Sequence, residues 1–243
     1  MDSTQNYQPR TPEAGVRLSA EQLEAIRQFD ACSIANAIEQ FGVRLRNEGF
    51  TSPGLHCVTG GSPRVIGYAA TCRIRTCDPP PTGSPYMDRT DWWGAIQRMP
   101  SPRIAVIQDL DSRPGSGSSV GEVHAAILKA FGCVAVVTNG MVRDVTQVAR
   151  MSFPMFARAA AVSHSYTHIV DFCRPATVFD LEIHPGDLIY ADIHGVVTIP
   201  AEIAHRVADV AARHRAREQR IIEACQEPGF SEARLLELIQ GRD

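Results

Sequence analysis

Residues 121–144 read GEVHAAILKAFGCVAVVTNGMVRD, and this stretch indicates how the whole chain folds. Its first half has the composition of a short amphipathic helix, which Gly132 is suited to end. The apolar run CVAVVT then predicts a buried strand, and the dipeptide NG at 139–140 predicts the turn after it. Because 20 residues separate Glu122 from Arg143, a helix and a returning strand can bring both side chains to one edge of a sheet.

The segments around this stretch predict the same alternation of strands and helices. Strands are predicted at 65–76, 103–110, 152–160, 177–183, 188–193 and 196–200, and helices at 88–99, 145–151 and 201–226. Residues 161–175 are predicted to be a loop. Such alternation is typical of a layered α/β domain whose sheet is at least partly parallel.

Two further helices are predicted near the N-terminus. Ser19 and Gln22 have the spacing of a capping box, in which each side chain bonds the backbone of the other residue. Asp30 is the predicted N-cap of the second helix, and Gly42 is suited to end it. The α/β domain is therefore expected to carry N-terminal as well as C-terminal helices.

Three regions are expected along the chain: a flexible tail at 1–17, a folded domain at 18–200 and a helical extension at 201–243. Within the extension, residues 214–220 are highly charged. We therefore expect this helix to project from the core or to pack on a neighbouring subunit.

The composition is that of a globular protein without nucleic acid or membrane as a partner. The 243 residues carry a formal charge of −3, and no dense cluster of Lys and Arg precedes residue 205, which argues against binding through phosphate neutralisation. No apolar run reaches the length of a membrane-spanning helix, and the polar N-terminus does not resemble a secretory signal. Seven scattered cysteines do not predict a disulfide framework. A cytoplasmic location is expected.

Three other candidate sites are disfavoured by their patterns. Cys72 and Cys77 have no second pair to complete the four ligands of a structural zinc ion. The loop GSGSSVG at 115–121 matches neither the dinucleotide-binding nor the P-loop spacing, although a loop before a helix can hold an anion. His164 and His168 lack the glutamate of a zinc-protease motif, and surface or interface positions are favoured for them.

Glu122, Arg143 and Asp144 form the strongest candidate site. Two carboxylates at one point repel each other unless a positive group lies between them, and Mg²⁺ or Mn²⁺ meets that need with one or two carboxylates plus water. Arg143 is always protonated and is suited to bind a carboxylate or a developing enolate oxygen. A structural alternative remains open, in which Asp144 caps a helix and Glu122 complements a helix dipole.

The chain resembles the RraA-like family, which includes 4-hydroxy-4-methyl-2-oxoglutarate/4-carboxy-4-hydroxy-2-oxoadipate aldolases and inhibitors of ribonuclease E. The matching segments are ACSIANAIEQFG at 31–42, VIGYAATCRIRT at 65–76, the acid-x20-Arg-Asp segment ending in NGMVRD at 139–144, FPMFARA at 153–159 and HPGDLIYADIHGVVTIP at 184–200. The resemblance implies an α/β/β swivelling-type domain, assembled as a trimer or a hexamer with sites near the subunit boundaries.

The resemblance also implies a role for each site residue. Asp144 would anchor the divalent metal, and Glu122 would organise metal-bound water for proton transfer. Arg143 would contact the keto oxygen of a 2-oxo acid and stabilise the pyruvate enolate. The substrate carboxylate is expected at the backbone amides that open the helix, contributed by Gly121, Glu122, Val123 and His124.

The implied activity is that of a metal-dependent, class II type pyruvate aldolase, a carbon–carbon lyase. It would cleave a 4-hydroxy-2-oxo diacid to pyruvate and a second oxo acid, with oxaloacetate decarboxylation as a side activity. Lys129, the only lysine, falls inside the predicted helix and is not expected to form a Schiff base.

Two alternatives remain open. The protein could be a non-catalytic regulator that binds a ribonuclease, or a family member diverted to another 2-oxo or hydroxy acid. Glu122 stands where the family's aldolases usually have Asp, and Asn36 stands where many relatives have Asp. These two differences leave the exact substrate open.

Overall fold

The computed structural model describes residues 17–81 and 89–240, which form a mixed α/β domain with helices at both ends, as predicted. The predicted tail lies outside these ranges apart from Arg17. The helices are α1 (Ala20–Arg27), α2 (Ala31–Glu39), α3 (Arg89–Arg98), α4 (Glu122–Ala130), α5 (Val145–Arg150), α6 (Ala204–Cys225) and α7 (Glu232–Gln240).

The strands are short except for one near the middle of the main sheet. They are β1 (His56–Cys57), β2 (Val65–Arg75), β3 (Arg103–Asp109), β4 (Ser118–Val120), β5 (Cys133–Thr138), β6 (Met141–Val142), β7 (Met155–Ala157), β8 (Ala159–Ala160), β9 (His168–Phe172), β10 (Ala176–Val178), β11 (Leu181–Ile183), β12 (Leu188–Asp192) and β13 (Gly195–Ile199).

Within the described residues, the main sheet has the strand order β1-β7-β5-β3-β2-β12-β13, and β9 also pairs with β2. The four strands β2, β3, β5 and β7 run parallel, while β1, β9, β12 and β13 pair with their neighbours in the antiparallel sense. The sheet is thus partly parallel, in agreement with the prediction. The connection from β3 to its parallel neighbour β5 passes through β4 and α4.

The two faces of the main sheet are covered by different elements. Along β2, Ala70 and Cys72 point to the face that packs against α3 and α4, whereas Val65 and Ala69 point to the opposite face. That opposite face is covered by the β10–β11 hairpin, whose apolar side chains are fully or nearly buried. The packing explains why β2 reads as a continuous apolar run, since a strand covered on both faces has no solvent side.

A second, smaller sheet determines where the candidate site lies. Strands β4, β6 and β8 pair in parallel, in the order β4-β6-β8. The chain therefore leaves β5 of the main sheet, turns at 139–140 and enters β6 of the small sheet directly. This small sheet was not predicted, because strands of two or three residues are too short to show a period.

The N-terminal helices begin as predicted. Ser19 accepts a hydrogen bond from the Gln22 N–H, and the Gln22 side chain accepts one from the Ser19 N–H, which completes the capping box. Asp30 caps α2 by accepting from the Ser33 N–H. The α2 start is also tied to the sheet, because the Ala31 N–H donates to the buried Asp192 carboxylate at 2.8 Å.

Three predicted segments differ from the structure. The predicted strand at 152–160 is two short strands, β7 in the main sheet and β8 in the small sheet. Residues 161–175 are not a loop throughout, because β9 fills the edge of β2 that β12 leaves uncovered beyond Tyr68. The predicted strand at 177–183 is a hairpin of two strands, since Phe179 and Asp180 both adopt positive φ and turn the chain. Neither turn residue is glycine, which hid the turn from the sequence pattern.

The long helix after Pro200 is α6, and its first half packs on the core through Ala204, Val207 and Ala211. Its second half is mostly exposed, and α7 folds back on it. Over residues 17–81 and 89–240, no helix combines the length and the apolar character needed to cross a membrane.

Candidate functional site

The candidate site lies where the three parallel strands of the small sheet end. Strand β4 leads into Gly121, β6 leads into Arg143 and β8 leads into Ala161. The strand pairing continues one step beyond β6 and β8, since the Arg143 N–H donates to the Val120 carbonyl at 2.9 Å and the Ala161 N–H donates to the Val142 carbonyl at 2.8 Å. Carboxyl ends of parallel strands are a frequent place for ligands in α/β proteins.

Gly121, Glu122, Arg143 and Asp144 are brought together as the spacing predicted. The Asp144 Oδ2 atom accepts a hydrogen bond from the Glu122 N–H at 2.9 Å, and it lies 3.6 Å from the Arg143 Nε atom. The carboxylate therefore sits at the N-terminus of α4, where a helix favours negative charge. The two ends of the 24-residue stretch are joined by this contact.

Gly121 is required here by space rather than by backbone conformation. Its φ of −125° is open to any residue. A Cβ atom at this position would lie 2.4 Å from Asp144 Oδ2 and 2.9 Å from Arg143 Nε, closer than real contacts allow. The absence of a side chain at Gly121 thus lets the arginine and the aspartate lie directly over the start of α4.

Asp144 has an unusual backbone for a residue other than glycine. Its φ and ψ are 54° and 36°, in the left-handed region, and its side chain does not cap α5, the helix that it precedes. The carboxylate turns to the first turn of α4 instead. Strained backbone of this kind is found at functional sites more often than elsewhere.

The rim of the site is exposed on this subunit. Glu122 is exposed, Val123 is 75% exposed, and the Arg143 and Asp144 side chains are about one-third exposed at 34% and 36%. Just beyond the end of β8, Val162 is 98% exposed. The predicted strand at 152–160 ends with β8, but the sequence did not indicate that the residues after it, Ala161 and Val162, lie beside Arg143.

The His124 side chain lies away from this rim. It is buried against Trp92 and Trp93, and the Trp93 indole N–H points to His124 Nε2 at 3.3 Å. Because an indole nitrogen can only donate, Nε2 accepts and Nδ1 carries the proton, which is directed to the Ser119 carbonyl at 3.3 Å. Only the backbone of His124 faces the start of α4, so the predicted substrate contact would have to come from its amide.

A pair of buried aspartates, which the sequence did not single out, lies beneath the loops of the site. Asp109 accepts hydrogen bonds from the Asp111 N–H at 3.1 Å, the Gly115 N–H at 2.8 Å and the Thr76 hydroxyl at 3.2 Å. Burial raises the pKa of Asp109, and these hydrogen bonds only partly offset it. Asp109 ends β3 and so anchors the loop that leads to β4.

The neighbouring Asp111 has the opposite shift. Burial alone would raise the pKa of its carboxyl. Hydrogen bonds from the Thr76 and Cys77 backbone N–H groups outweigh this effect, and the pKa is lowered to about 2. Asp111 therefore holds the end of β2 as a carboxylate over the whole physiological pH range.

The other residues considered in the sequence do not form a metal cluster. Over the described ranges, no group of three or more His, Cys, Asp or Glu side chains is arranged to hold a metal ion. Cys72 is buried and Cys77 is exposed, and neither forms a disulfide with another described residue. His164 is exposed as expected, but the expectation of a surface or interface position is wrong for His168, which is buried in β9 with Nδ1 2.8 Å from the Tyr166 carbonyl.

The fold and the motif positions agree with one protein family. Residues 31–198 match the model of the RraA-like family, described as Aldolase/RraA, and this range is more than half of the chain. The chain belongs to the RraA-like family. The resemblance seen in the sequence is therefore confirmed.

Curated relatives of this RraA-like protein match over shorter segments. A protein of Halalkalibacterium halodurans named as a 4-hydroxy-4-methyl-2-oxoglutarate aldolase is 29% identical over 100 residues, which are 41% of this chain and 48% of the relative. Protein DlpA of Legionella pneumophila is 29% identical over 91 residues, 36% of this chain and 15% of that protein. The matched segments thus span about half of the first relative and a small part of the second.

Solved structures show the same fold. A protein from Pseudomonas syringae pv. tomato superposes with a TM-score of 0.70 at 24% identity, covering 96% of this chain and 98% of that one. RraAS2 of Streptomyces coelicolor, described as an unusual member of the RNase ES inhibitor RraA family, gives a TM-score of 0.66 at 18% identity over 84% and 96% of the two chains. At these identities the likeness concerns the fold alone.

Replacing Gly121 with alanine is expected to displace Asp144 from the start of α4. The added Cβ would lie only 2.4 Å from Asp144 Oδ2 and would force this atom away, so the Glu122 N–H would lose its acceptor. Amide hydrogen exchange at Glu122 should become about tenfold faster, which corresponds to the loss of one hydrogen bond. Gly94→Ala is the control, because its nearest neighbour atom lies 3.6 Å away. Unchanged exchange at Glu122 in Gly121→Ala would contradict the described contact.

Stability at acid pH is expected to depend on Asp111. Its pKa is lowered from 3.8 to about 2 in the folded protein, so its contribution is complete above pH 3.8 and is lost as the pH falls toward 2. The shift corresponds to about 2 kcal/mol of unfolding free energy. In denaturant titrations, the difference in unfolding free energy between wild type and Asp111→Asn should therefore be largest near neutral pH. In acid this difference should be smaller by about 2 kcal/mol. A difference that is constant with pH would oppose this assignment.

Proposed function

We propose that the site at Gly121–Asp144 catalyses the divalent-metal-dependent cleavage of a 4-hydroxy-2-oxo diacid to pyruvate and a second oxo acid. The observation that carries the proposal is the joining of Arg143 and Asp144 to the N-terminus of α4, with the exposed Glu122 beside them. Family membership and a relative named as a 4-hydroxy-4-methyl-2-oxoglutarate aldolase support it. Decarboxylation of oxaloacetate, which passes through the same enolate, is proposed as a side activity.

Arg143 is proposed to bind the 2-oxo group and to stabilise the charge that develops on it. Its guanidinium is always protonated, so it cannot remove a proton but can hold an anion. The nearby Asp144 keeps the side chain over Gly121, which fixes its direction before the substrate arrives. A preorganised donor of this kind stabilises the enolate oxygen more than the ground-state carbonyl oxygen.

The amides at the start of α4 are proposed to hold the substrate carboxylate. The first bond of the α4 ladder runs from the Ala125 N–H to the Gly121 carbonyl, so the preceding amides lie outside the ladder. Asp144 takes the amide of Glu122. We therefore assign the carboxylate contact first to the amide of Val123, which lies at the exposed rim.

The side chains present fit a hydrated Mg²⁺ or Mn²⁺ ion. Asp144 uses Oδ2 for its contacts with Glu122 and Arg143, and its Oδ1 makes no hydrogen bond within the described residues. Asp144 would hold the ion and the exposed Glu122 would face its water ligands, which agrees with the preference of Mg²⁺ for one or two carboxylates and several waters. When bound, the ion supplies a Lewis acid for the oxygens of the 2-oxo acid.

Glu122 is proposed as the group that moves the proton. The substrate hydroxyl must lose a proton as the carbon–carbon bond breaks, and the pyruvate enolate must then gain one at its methylene carbon. The exposed carboxylate of Glu122, whose own N–H donates to Asp144, can accept the first proton and return the second, directly or through water. The proton count then balances over the reaction.

A Schiff-base route does not suit this site. Lys129 is the only lysine, and its Nζ donates to the Met151 carbonyl, between the ends of α4 and α5. It lies seven positions after Glu122 along the helix, which is about 10 Å. The proposed chemistry therefore relies on the arginine and the metal rather than on an amine.

The exposed rim supports a further part of the proposal, that copies of the chain assemble with the site near a subunit boundary. Val123 and Val162 are large apolar side chains at the rim, with 75% and 98% exposure. A trimer or hexamer would cover such side chains and exclude water from the site. Size measurement by light scattering tests the assembly.

Arg143→Ala is expected to lower kcat/KM for pyruvate release from 4-hydroxy-4-methyl-2-oxoglutarate by at least about a hundredfold, the usual effect of losing one oxyanion donor. EDTA should abolish the activity, and Mg²⁺ should restore it. Arg46→Ala is the matched control, since its side chain is 82% exposed and pairs only with Glu39 among the described residues. A coupled assay that reduces the released pyruvate gives both constants.

Pyruvate release that survives EDTA and Arg143→Ala would contradict the proposal. If wild type releases no pyruvate from this substrate or from 4-carboxy-4-hydroxy-2-oxoadipate, a panel of other 2-oxo acids decides whether the site serves a different one. Chelator-insensitive binding to a ribonuclease, without any turnover, would instead favour the regulatory alternative that the family includes.

A further inference from the structure

We propose that Asn139 and Asp109 form a positioning pair that sets the direction in which Arg143 and Asp144 enter the site. The proposal rests on the proposed function for its catalytic consequence, but its structural part stands on contacts outside the site. Neither residue touches Arg143 or Asp144 through its side chain in the described contacts. Both act through the backbone that leads there.

The Asn139 side chain takes the place of a backbone hydrogen-bonding partner at the end of the β3–β5 pairing. The parallel pairing of β3 with β5 ends at Ile107 and Thr138. Beyond it, the Asp109 N–H donates to Asn139 Oδ1 at 2.7 Å, and Asn139 Nδ2 donates to the Asp109 carbonyl at 3.0 Å. The amide thus satisfies both backbone groups of Asp109 while its own backbone leaves the sheet.

The departure of the chain is confined to two residues. After Thr138, only Asn139 and Gly140 precede β6 in the small sheet. Gly140 packs closely on Asp109, because a Cβ there would lie 3.3 Å from the Asp109 Cβ. The Gly140 N–H donates to the Thr138 hydroxyl at 3.0 Å, which closes the turn from the other side.

The Asp109 carboxylate holds the second arm of the site. It binds the N–H groups of Asp111 and Gly115, within the loop that delivers β4 and then Gly121. Gly115 in turn packs against the Met141 side chain of β6, at a distance that leaves no space for a Cβ. Asp109 therefore fixes both arms, one through its carboxylate and the other through its backbone and Asn139.

A small rotation at this pair would move the arginine far enough to matter. The three residues of extended chain that follow Gly140 and end at Arg143 span about 10 Å. A tilt of about 10° at the turn would then shift Arg143 by roughly 2 Å, and a misplacement of about 1 Å can cost on the order of a hundredfold in rate. The clamp on both sides of Asp109 opposes such a tilt.

The test compares Asn139→Ala and Asp109→Asn with Asp192→Asn. Asn139→Ala removes both hydrogen bonds to the Asp109 backbone. Asp109→Asn replaces one carboxylate oxygen with an NH₂ group, which cannot accept the hydrogen bonds that the Asp111 and Gly115 N–H groups donate. Asp192→Asn is the matched control, because Asp192 is similarly buried and also accepts two backbone N–H groups, from Ala31 at the start of α2 and from His194 after β12. Amide exchange at Arg143, whose N–H donates to the Val120 carbonyl, reports on the entry of β6 without any substrate.

We expect amide exchange at Arg143 to become about tenfold faster in both test variants and to remain unchanged in Asp192→Asn. We also expect kcat for pyruvate release to fall at least tenfold in the two test variants only. If wild type releases no pyruvate but the exchange pattern holds, the proposed function fails and the positioning pair stands. Unchanged exchange at Arg143 in the test variants, or an equal increase in Asp192→Asn, would overturn the positioning role.

Discussion

The hydrogen bond from the Glu122 N–H to the Asp144 carboxylate joins the two ends of the stretch on which the site depends. It ties the start of α4 to the end of β6, and it requires a residue without a side chain at Gly121. The left-handed backbone of Asp144 is the local cost, of order 1–3 kcal/mol for a residue other than glycine. The favourable interaction of a carboxylate with a helix N-terminus offsets part of it.

The meeting of the two ends of this stretch was predictable because it follows from their spacing in the sequence. An acid, 20 intervening residues and Arg-Asp are enough to close a helix–strand unit, and the structure does bring Glu122, Arg143 and Asp144 together. The small sheet that carries them was not predictable, since β6 and β8 have two residues each. The burial of His124 could not be predicted from the sequence either, because it depends on Trp92 and Trp93 of α3, which are about 30 positions earlier in the chain.

Carboxylates occur in two layers with different environments. The exposed layer, Glu122 and Asp144, is open to water and to ions at the rim. The buried layer, Asp109 and Asp111, is saturated with hydrogen bonds from the backbone and from Thr76, and it organises loops rather than ligands. The spacing in the sequence singled out Glu122 and Asp144 but not Asp109 and Asp111, whose role depends on their burial and hydrogen-bond partners.

The central claim is that Asp144 and its neighbours form a site at which pyruvate becomes an enolate. Loss of methyl protons from pyruvate in D₂O, followed by NMR with Mg²⁺ present, measures that step without any need for the natural substrate. We expect wild type to catalyse the exchange, EDTA to abolish it, and Asp144→Asn to slow it by at least about a hundredfold. Exchange at the wild-type rate in Asp144→Asn, or none in wild type with metal present, would contradict it.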